Sequence, residues 1–344
     1  MPWALKPVRS RSPTMRKSAK KIPFSKQVAN DFIDAMRAGT APWQRPWSTA
    51  CAFGTLPMNP TTGNRYRGAN SLYLMMAGHD DPRWLTYKQA EAAGAQVRRG
   101  ERSTALEFCQ WDVEKEGEDG VVRSVRLERP HTFPFWVFNA EQVDGLPPLV
   151  IPPLTWDPHE RTEALLQASG ARIDHVAGDR AYYSPSSDRI VLPLREQFAD
   201  AGRWAATALH ELGHWTGHSS RLDRQMGSRH DVEAYAKEEL IAEISSLMVG
   251  ADLGIGHDPG QHHAYVASWI KALQDDPREI FRAAAAAEKV RTFVMAFDQH
   301  LEQTQNGVAT ANTPSPRLEQ PAPSLVPPRP MELVQALARG GMSL

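Results

Sequence analysis

The chain has 344 residues, of which 39 are Lys or Arg and 40 are Asp or Glu, and 41% are hydrophobic. That length corresponds to about two domains, and the apolar share is sufficient for packed cores, which excludes a wholly disordered chain. The charge is unevenly distributed: residues 1–110 contain 17 basic and 7 acidic residues, and residues 111–344 contain 22 and 33. This split predicts a basic part that meets an anionic partner.

The cysteine content and the hydropathy pattern limit the compartment. Cys51 and Cys109 lie far apart in the sequence, and neither belongs to a spacing typical of metal ligands. A disulfide scaffold and a cysteine-based zinc site are therefore not expected, and a reducing compartment is. The sequence contains no apolar run long enough for a membrane span and no secretory h-region at its N-terminus. We expect a cytoplasmic protein without a membrane partner.

The first half predicts an α+β domain over residues 24–148, preceded by a basic disordered arm over residues 1–23. A helical stripe includes Val28, Phe32 and Met36, and Thr86 is typical of a helix cap. Acidic Asp112–Gly120 is predicted to be a hairpin loop. The predicted helices and strands are Ser71–Ala77, Tyr87–Ala93, Ala105–Trp111, Val121–Leu127 and Thr132–Phe138.

The second half predicts a mostly helical domain with a small sheet over residues 149–303. Four prolines in Leu146–Trp156 indicate a linker, so the two halves are expected to fold separately. Asp157-Pro158 opens a helix, and Arg172–Val176 is a predicted strand. The sequences Ala181–Ser184 and Arg189–Leu192 predict a hairpin, which offers an edge to an extended peptide. Residues 304–344 are proline-rich and predict a flexible tail.

A metal-binding motif, His210-Glu211-Leu212-Gly213-His214, lies within a predicted helix. The two histidines are one helical turn apart and face the same way, so both rings can bind one Zn²⁺. Glu211 lies beside them as a general base for the attacking water. An extended metzincin motif needs a third His six residues further on, where this chain has Ser220.

A second predicted helix supplies carboxylates for a third ligand. Glu239 and Glu243 lie four residues apart on one flank of its apolar stripe, and Glu238 lies on the other flank. We predict Glu239 as the ligand and Glu243 as a support for a ligating His, with the reverse assignment as the alternative. One zinc ion per chain is expected, and another divalent metal is an alternative. His218 is interpreted as a helix-end residue, and the cluster His257, His262 and His263 as capping or solvated.

Basic and aromatic side chains alternate in the first half. Cations that bind phosphates and aromatic rings that stack on bases are the means by which proteins hold single-stranded nucleic acid. The alternative is that Trp43, Trp47 and Trp84 are core residues and the arginines are solvated. The predicted DNA-binding residues are Trp43, Arg45, Trp47, Arg65, Tyr66, Arg67, Arg83, Trp84, Lys88, Arg98 and Arg99.

The first half resembles the N-terminal domain of the ArdC-type antirestriction family, which certain plasmid primases share. The second half resembles the zincin-like metallopeptidase domain of that family through His210–His218, Ser220-Arg221-Leu222 and Tyr235–Glu243. The resemblance covers roughly residues 24–303 and adds Asn70 to the DNA-binding residues. The motifs of the first half that carry it are Ala38–Trp43 with Pro46-Trp47, Asn59 through Tyr66-Arg67-Gly68 to Asn70, Arg83–Ala90, Gly94 to Glu101, and Val137–Val143.

The resemblance implies single-stranded DNA binding, a metal site, and protection of incoming DNA from a host restriction enzyme. Two alternatives stay open. The protein can be a protease for a specific host or phage protein, with DNA as a tether only. The metal can also be purely structural, but a structural site has no need of Glu211.

Overall fold

The computed structural model describes residues 22–44, 56–116, 120–151, 154, 156–227, 231–257 and 265–311, and only the backbone of residues 300–311. The predicted arm up to residue 21 and the tail beyond residue 311 lie outside the described residues. Contacts divide the chain into residues 1–301 and 302–344. Of the second unit, the structure describes residues 302–311, which are helical.

Among its described residues, the first half combines three α-helices with five strands. Helix α1 buries its stripe from Val28 to Met36, as the sequence predicts. Helix α3 is capped by Thr86, whose hydroxyl accepts the backbone N–H of Gln89. The elements are α1 Phe24–Arg37, α2 Gly68–Met76, β1 Trp84–Leu85, α3 Tyr87–Ala92, β2 Gln96–Val97, β3 Thr104–Glu116, β4 Val122–Asn139 and β5 Val143–Asp144.

Strands β3 and β4 form a long antiparallel hairpin, and β1 pairs with β4 at the base. The prediction of a loop over Asp112–Gly120 is wrong for its first part, because the register continues to the pair Glu116↔Val122. In this segment Val113 lies between charged neighbours, and such alternation is the pattern of a strand. The acidic composition of the segment hides that pattern. The sequence predicts two strands, Val121–Leu127 and Thr132–Phe138. The structure instead has one strand, β4, with an irregularity opposite Trp111.

The second half contains a small sheet and five helices among its described residues. Asp157 caps the first helix, since its side chain accepts the backbone N–H groups of His159 and Glu160. Strand β8 lies in the centre of the sheet, parallel to β6 and antiparallel to β7. The elements are α4 Pro158–Ala168, β6 Arg172–Val176, β7 Tyr182–Ser184, β8 Arg189–Pro193, α5 Ala201–Trp215, α6 Val232–Leu253, α7 Val266–Asp275 and α8 Glu279–Ala311.

The two halves share a hydrophobic core, contrary to the expectation that they fold separately. One cluster joins Phe32 and Trp43 from the first half with Ile244, Trp269 and residues of α8. At its edge, Arg65 Nη1 lies 2.8 Å from Asp252 Oδ1. The apolar face of α1 is therefore covered by helices of the second half, and α6 takes part in both the shared core and the site described below.

The fold confirms the predicted α+β class with a mostly helical second part. None of the helices in the described ranges is long and apolar enough to cross a bilayer.

Candidate metal centre

Helix α5 carries both histidines of the HExxH motif on its buried face. Asp200 caps the helix by accepting the backbone N–H of Arg203. Leu209 and Leu212 pack into the core of the second half, and this fixes the rotation of the helix about its axis. His210 and His214 consequently point towards α6, where neighbouring carboxylates face them.

Three side chains converge on one point between α5 and α6. The Nε2 atoms of His210 and His214 are 3.2 Å apart. Glu239 brings its Oε2 within 3.5 Å of Nε2 of His210, and its Oε1 within 3.6 Å of Nε2 of His214. Among the described residues this is the group whose side chains could hold a metal ion.

The donor set fits a divalent cation. Two imidazole nitrogens and a carboxylate are ligands that zinc prefers, and bonds of about 2.1 Å in a tetrahedron separate neighbouring ligand atoms by about 3.4 Å. The two imidazole nitrogens, 3.2 Å apart, are close to that spacing, and each of them lies 3.5–3.6 Å from one of the two oxygens of Glu239. Three protein ligands leave a fourth position open, as catalytic sites do.

The other ring nitrogen of each histidine also lies near a carboxylate. Nδ1 of His210 lies 3.4 Å from Oε2 of Glu243, and Nδ1 of His214 lies 3.2 Å from Oε1 of Glu238. Arg224 forms two hydrogen bonds to Glu238, at 2.6 and 3.0 Å, and a third to the carbonyl of Gly213. Such partners orient the rings and leave Nε2 free to bind a metal.

Glu211 is buried beside the ligands but does not join them. Its Oε2 atom has no hydrogen-bond partner among the described residues, and the nearby backbone N–H of Tyr183 acts to lower its pKa. Burial raises the pKa of Glu211 above its ordinary value, against the opposing influence of the two histidines. A buried carboxylate with one vacant oxygen is suited to accept a proton from water.

A cavity of about 400 Å³ opens onto these residues. Strand β7 forms one wall through Tyr182 and Tyr183, and Tyr235, Tyr265 and Met226 form others. Arg221 stabilises the wall at β7, because its guanidinium donates hydrogen bonds to Asp188 and to the hydroxyl of Tyr183.

The structure thus brings together the predicted metal ligands and places the alternative ligand, Glu243, on the far nitrogen of His210. Sequence reasoning missed Glu238 as a partner of His214, because it assigned this residue to the opposite flank of α6. His218 lies just after α5 and bonds Ser220, and His257 bonds the carbonyl of Trp43. His262 and His263 lie outside the described residues.

The predicted DNA-binding residues have different environments. Trp43 and Trp84 are each 1% exposed, so neither ring offers a face to a base. Arg45 and Trp47 lie outside the described residues. Ion pairs or hydrogen bonds engage Arg65 with Asp252, Arg83 with Asp81, Arg98 with Glu101, Tyr66 with the carbonyl of Trp84, and Asn70 with the backbone of Glu107. The exposed cations of the set are Arg67, Lys88, Arg98 and Arg99.

Two family models match the chain, one in each half. Residues 23–138 match the N-terminal domain of the anti-restriction factor ArdC, and residues 160–286 match a zincin-like metallopeptidase. The second match spans the helix with the HExxH motif and the helix with the carboxylates. The fold and the site therefore define a zincin-like protein fused to an ArdC-type N-terminal domain.

Curated relatives and solved structures agree with this class. The chain is 55% identical to two Escherichia coli proteins named DNA primase TraC, over 83% and 81% of its length, and spans 28% and 20% of theirs. It is 36% identical to the uncharacterized protein y4eC of Sinorhizobium fredii, covering 78% of this chain and 91% of the relative.

Two crystal structures of the antirestriction protein ArdC from the R388 plasmid are similar to this chain at 36% identity. The metal-free form matches with a TM-score of 0.67 over 81% of this chain and 99% of that one. The Mn(II)-bound form matches with a TM-score of 0.65 over 80% and 98%. The chain belongs to the ArdC-type antirestriction family.

Proposed function

We propose that this protein binds single-stranded DNA with its first half and hydrolyses a peptide bond at a zinc ion held by His210, His214 and Glu239. Its biological role would be antirestriction in the bacterial cytoplasm, on behalf of a mobile element. The observation that carries the catalytic part is the convergence of the three side chains with Glu211 beside them, in a cavity bordered by a strand edge.

Zinc, when bound, activates a water molecule and polarises the carbonyl of the scissile bond. Glu211 would take the proton from the attacking water on its vacant Oε2 and transfer it to the leaving amine. The backbone N–H of Tyr183 lies near that carboxylate and favours its ionised form. The carboxylates of Glu238 and Glu243 keep the two imidazoles turned towards the metal.

The wall of the cavity favours a peptide as substrate. Strand β7 lies at the edge of its sheet, since β8 pairs with it on one side and β6 lies beyond β8. An extended peptide can add to such an edge through main-chain hydrogen bonds. Because Tyr183 of β7 and Glu211 line the same cavity, a peptide on this edge would run past the proton acceptor.

Glu211 favours catalysis over a purely structural metal. A structural site is closed by four protein ligands, whereas the described residues supply three. Burying an additional carboxylate that does not ligate has an energetic cost, as the raised pKa of Glu211 indicates. Such a cost is typical of a residue that is retained for chemistry.

DNA binding is supported by the charge of the first half and by its family. Residues 1–110 contain 17 basic and 7 acidic residues. Arg67, Lys88 and Arg99 are exposed cations that could contact phosphates.

The test of the proposal is a zinc-replete proteolysis screen against subunits of host restriction enzymes. The wild-type chain should cleave a subunit, and Glu211→Gln should cut turnover roughly 10²–10⁴-fold with metal content unchanged. Glu233→Gln, on the exposed surface of α6, is the matched control and should cleave normally. Equal cleavage by the wild type and Glu211→Gln would refute the assigned chemistry.

A further inference from the structure

A side-chain network joins the end of α5 to strand β7, and Arg221 lies at its centre. Arg221 comes from the Ser220-Arg221-Leu222 motif, which the proposed function does not use. Its Nε atom donates a hydrogen bond of 2.6 Å to the carbonyl of Trp215, the last residue of α5. Its guanidinium carbon also lies 3.9 Å from the centroid of the Trp215 ring. Arg221 is therefore attached to the helix that carries the HExxH motif.

The same guanidinium binds β7 and the turn that follows it. Nη2 of Arg221 donates to the hydroxyl of Tyr183 at 3.2 Å, and Nη1 donates to Oδ2 of Asp188 at 3.1 Å. The Tyr183 hydroxyl donates in turn to Oδ1 of Asp188 at 2.8 Å, which closes the network. Asp188 lies between β7 and β8 with a φ of 46°, a left-handed conformation that is uncommon for residues other than glycine. Because both of its carboxylate oxygens are bonded, the turn is held in this conformation.

Strand β7 depends on such contacts for its position. It has three residues and lies at the edge of its sheet, so few main-chain hydrogen bonds hold it. Tyr182 and Tyr183 line the cavity together with His210 and Glu211. A peptide added to this edge must bring its scissile carbonyl to the metal centre, and a misplacement of about 1 Å can lower a reaction rate about 10²-fold. The position of β7 relative to α5 therefore matters for the proposed reaction.

We propose that Arg221 is a positioning residue, which fixes the peptide-binding edge of β7 relative to the metal ligands on α5. It acts through Tyr183 and Trp215, because its nitrogens Nε, Nη1 and Nη2 are all engaged in the network. Its side chain is 11% exposed, so it is not placed to bind a substrate carboxylate. This inference rests on the proposed peptidase function and identifies what holds the substrate strand in register with the metal.

The alternative is that Arg221 only stabilises the fold. In that case its replacement would lower the melting temperature, but the folded protein would bind a peptide as the wild type does. A positioning role predicts a different pattern. Binding of a small ligand to the metal stays unchanged, and the additional affinity that a peptide main chain gains from β7 is lost. The two roles therefore differ in one ratio of affinities.

The test compares two hydroxamates, which bind a catalytic zinc at its open position, by calorimetry of the zinc-loaded full-length protein. Acetohydroxamic acid reaches only the metal, whereas tri-alanine hydroxamate also extends a main chain along β7. The wild type should bind the peptide compound on the order of ten-fold more tightly, because main-chain hydrogen bonds are added. Arg221→Lys should reduce this ratio at least roughly three-fold, since part of those bonds is lost, and its affinities for zinc and for acetohydroxamic acid should stay unchanged.

A second variant and a control complete the experiment. Tyr183→Phe removes only the hydroxyl that Arg221 binds, keeps the ring and the backbone of β7, and should lower the same ratio. If Arg221→Lys unfolds or loses zinc, Tyr183→Phe decides the question. Arg172→Lys is the matched control, because Arg172 lies 69% exposed on β6 at the other edge of the same sheet. It should bind both compounds as the wild type does.

The outcomes separate this inference from the proposed function. If the wild type prefers the peptide compound and both network variants keep that preference, the inference is overturned and the proposed function stands, even where the melting temperature falls. If the variants weaken both hydroxamates equally, the network supports the metal rather than the strand, and the inference is again overturned. If the wild type gains no affinity from the peptide, peptide addition at β7 and this inference are both refuted. If the wild type does not bind acetohydroxamic acid, the catalytic metal centre is refuted with them.

Discussion

Glu238 lies against His214, with its Oε1 atom 3.2 Å from Nδ1 of the imidazole. Burial alone would raise the pKa of this carboxyl, but hydrogen bonds with His214 and Arg224 outweigh burial and lower it. The carboxylate stays ionised. Burial lowers the pKa of His214, but hydrogen bonds with Glu238 and Glu239 raise it to about 9. When a metal replaces the proton on Nε2, the proton on Nδ1 can donate to Glu238.

Glu238→Gln should weaken metal binding by roughly 10–100-fold without abolishing it, because the amide retains the shape but not the charge that supports His214. Competition with a chromophoric chelator measures the affinity. Glu233→Gln is the control, since Glu233 lies on the same helix, exposed and bonded to Lys237. An unchanged affinity in Glu238→Gln would mean that this carboxylate does not tune the site.

Glu239 and Glu243 should respond differently to the same substitution. Glu239→Gln removes a ligand and should eliminate tight metal binding, whereas Glu243→Gln removes only the support of His210 and should weaken binding by roughly 10–100-fold. Chelator competition again distinguishes them. The reverse order of severity would make Glu243 the ligand.

Glu211→Gln should stabilise the metal-free protein at neutral pH. The folded-state pKa of Glu211 is raised above 4.5, so the folded chain holds this proton more tightly than the unfolded chain does. The free energy of unfolding of the wild type therefore falls as pH rises from about 4.5 through the folded-state pKa. Glutamine does not titrate, so the free energy of unfolding of Glu211→Gln does not fall in this way. Thermal melts in chelator should show a higher melting temperature for the variant at pH 7, and the difference should vanish below about pH 4. A difference that stays constant across this range would argue against a strained carboxylate.

Phe32→Ala should destabilise both halves together, by about 3–5 kcal/mol, because Phe32 packs in the core that they share. Unfolding followed by circular dichroism and by release of metal should shift by the same amount. Tyr87→Ala is a control at an exposed ring and should leave both unchanged. Two separate transitions, with metal release unaffected by Phe32→Ala, would indicate halves that fold on their own.

The local elements could be predicted because their signals lie within a few residues. Asp157 before Pro158, Thr86 before α3, and the short apolar run in Arg189–Pro193 each depend on neighbouring side chains. The HExxH spacing fixes a face of α5 in the same way.

The shared core and the support of His214 could not be predicted, because both depend on contacts distant in sequence. A helical stripe such as that of α1 shows which side is buried but not that α7 and α8 cover it. The sequence alone does not distinguish Trp84 from Trp111. Trp84 is buried and Trp111 is exposed, because the pairing of the strands determines which ring meets a core.

The most direct test of the account is metal stoichiometry measured by elemental analysis after loading with zinc and desalting. The wild-type chain should retain about one ion, and the double variant His210→Ala, His214→Ala should retain none while remaining folded. Equal metal in both proteins would contradict a centre built from His210, His214 and Glu239.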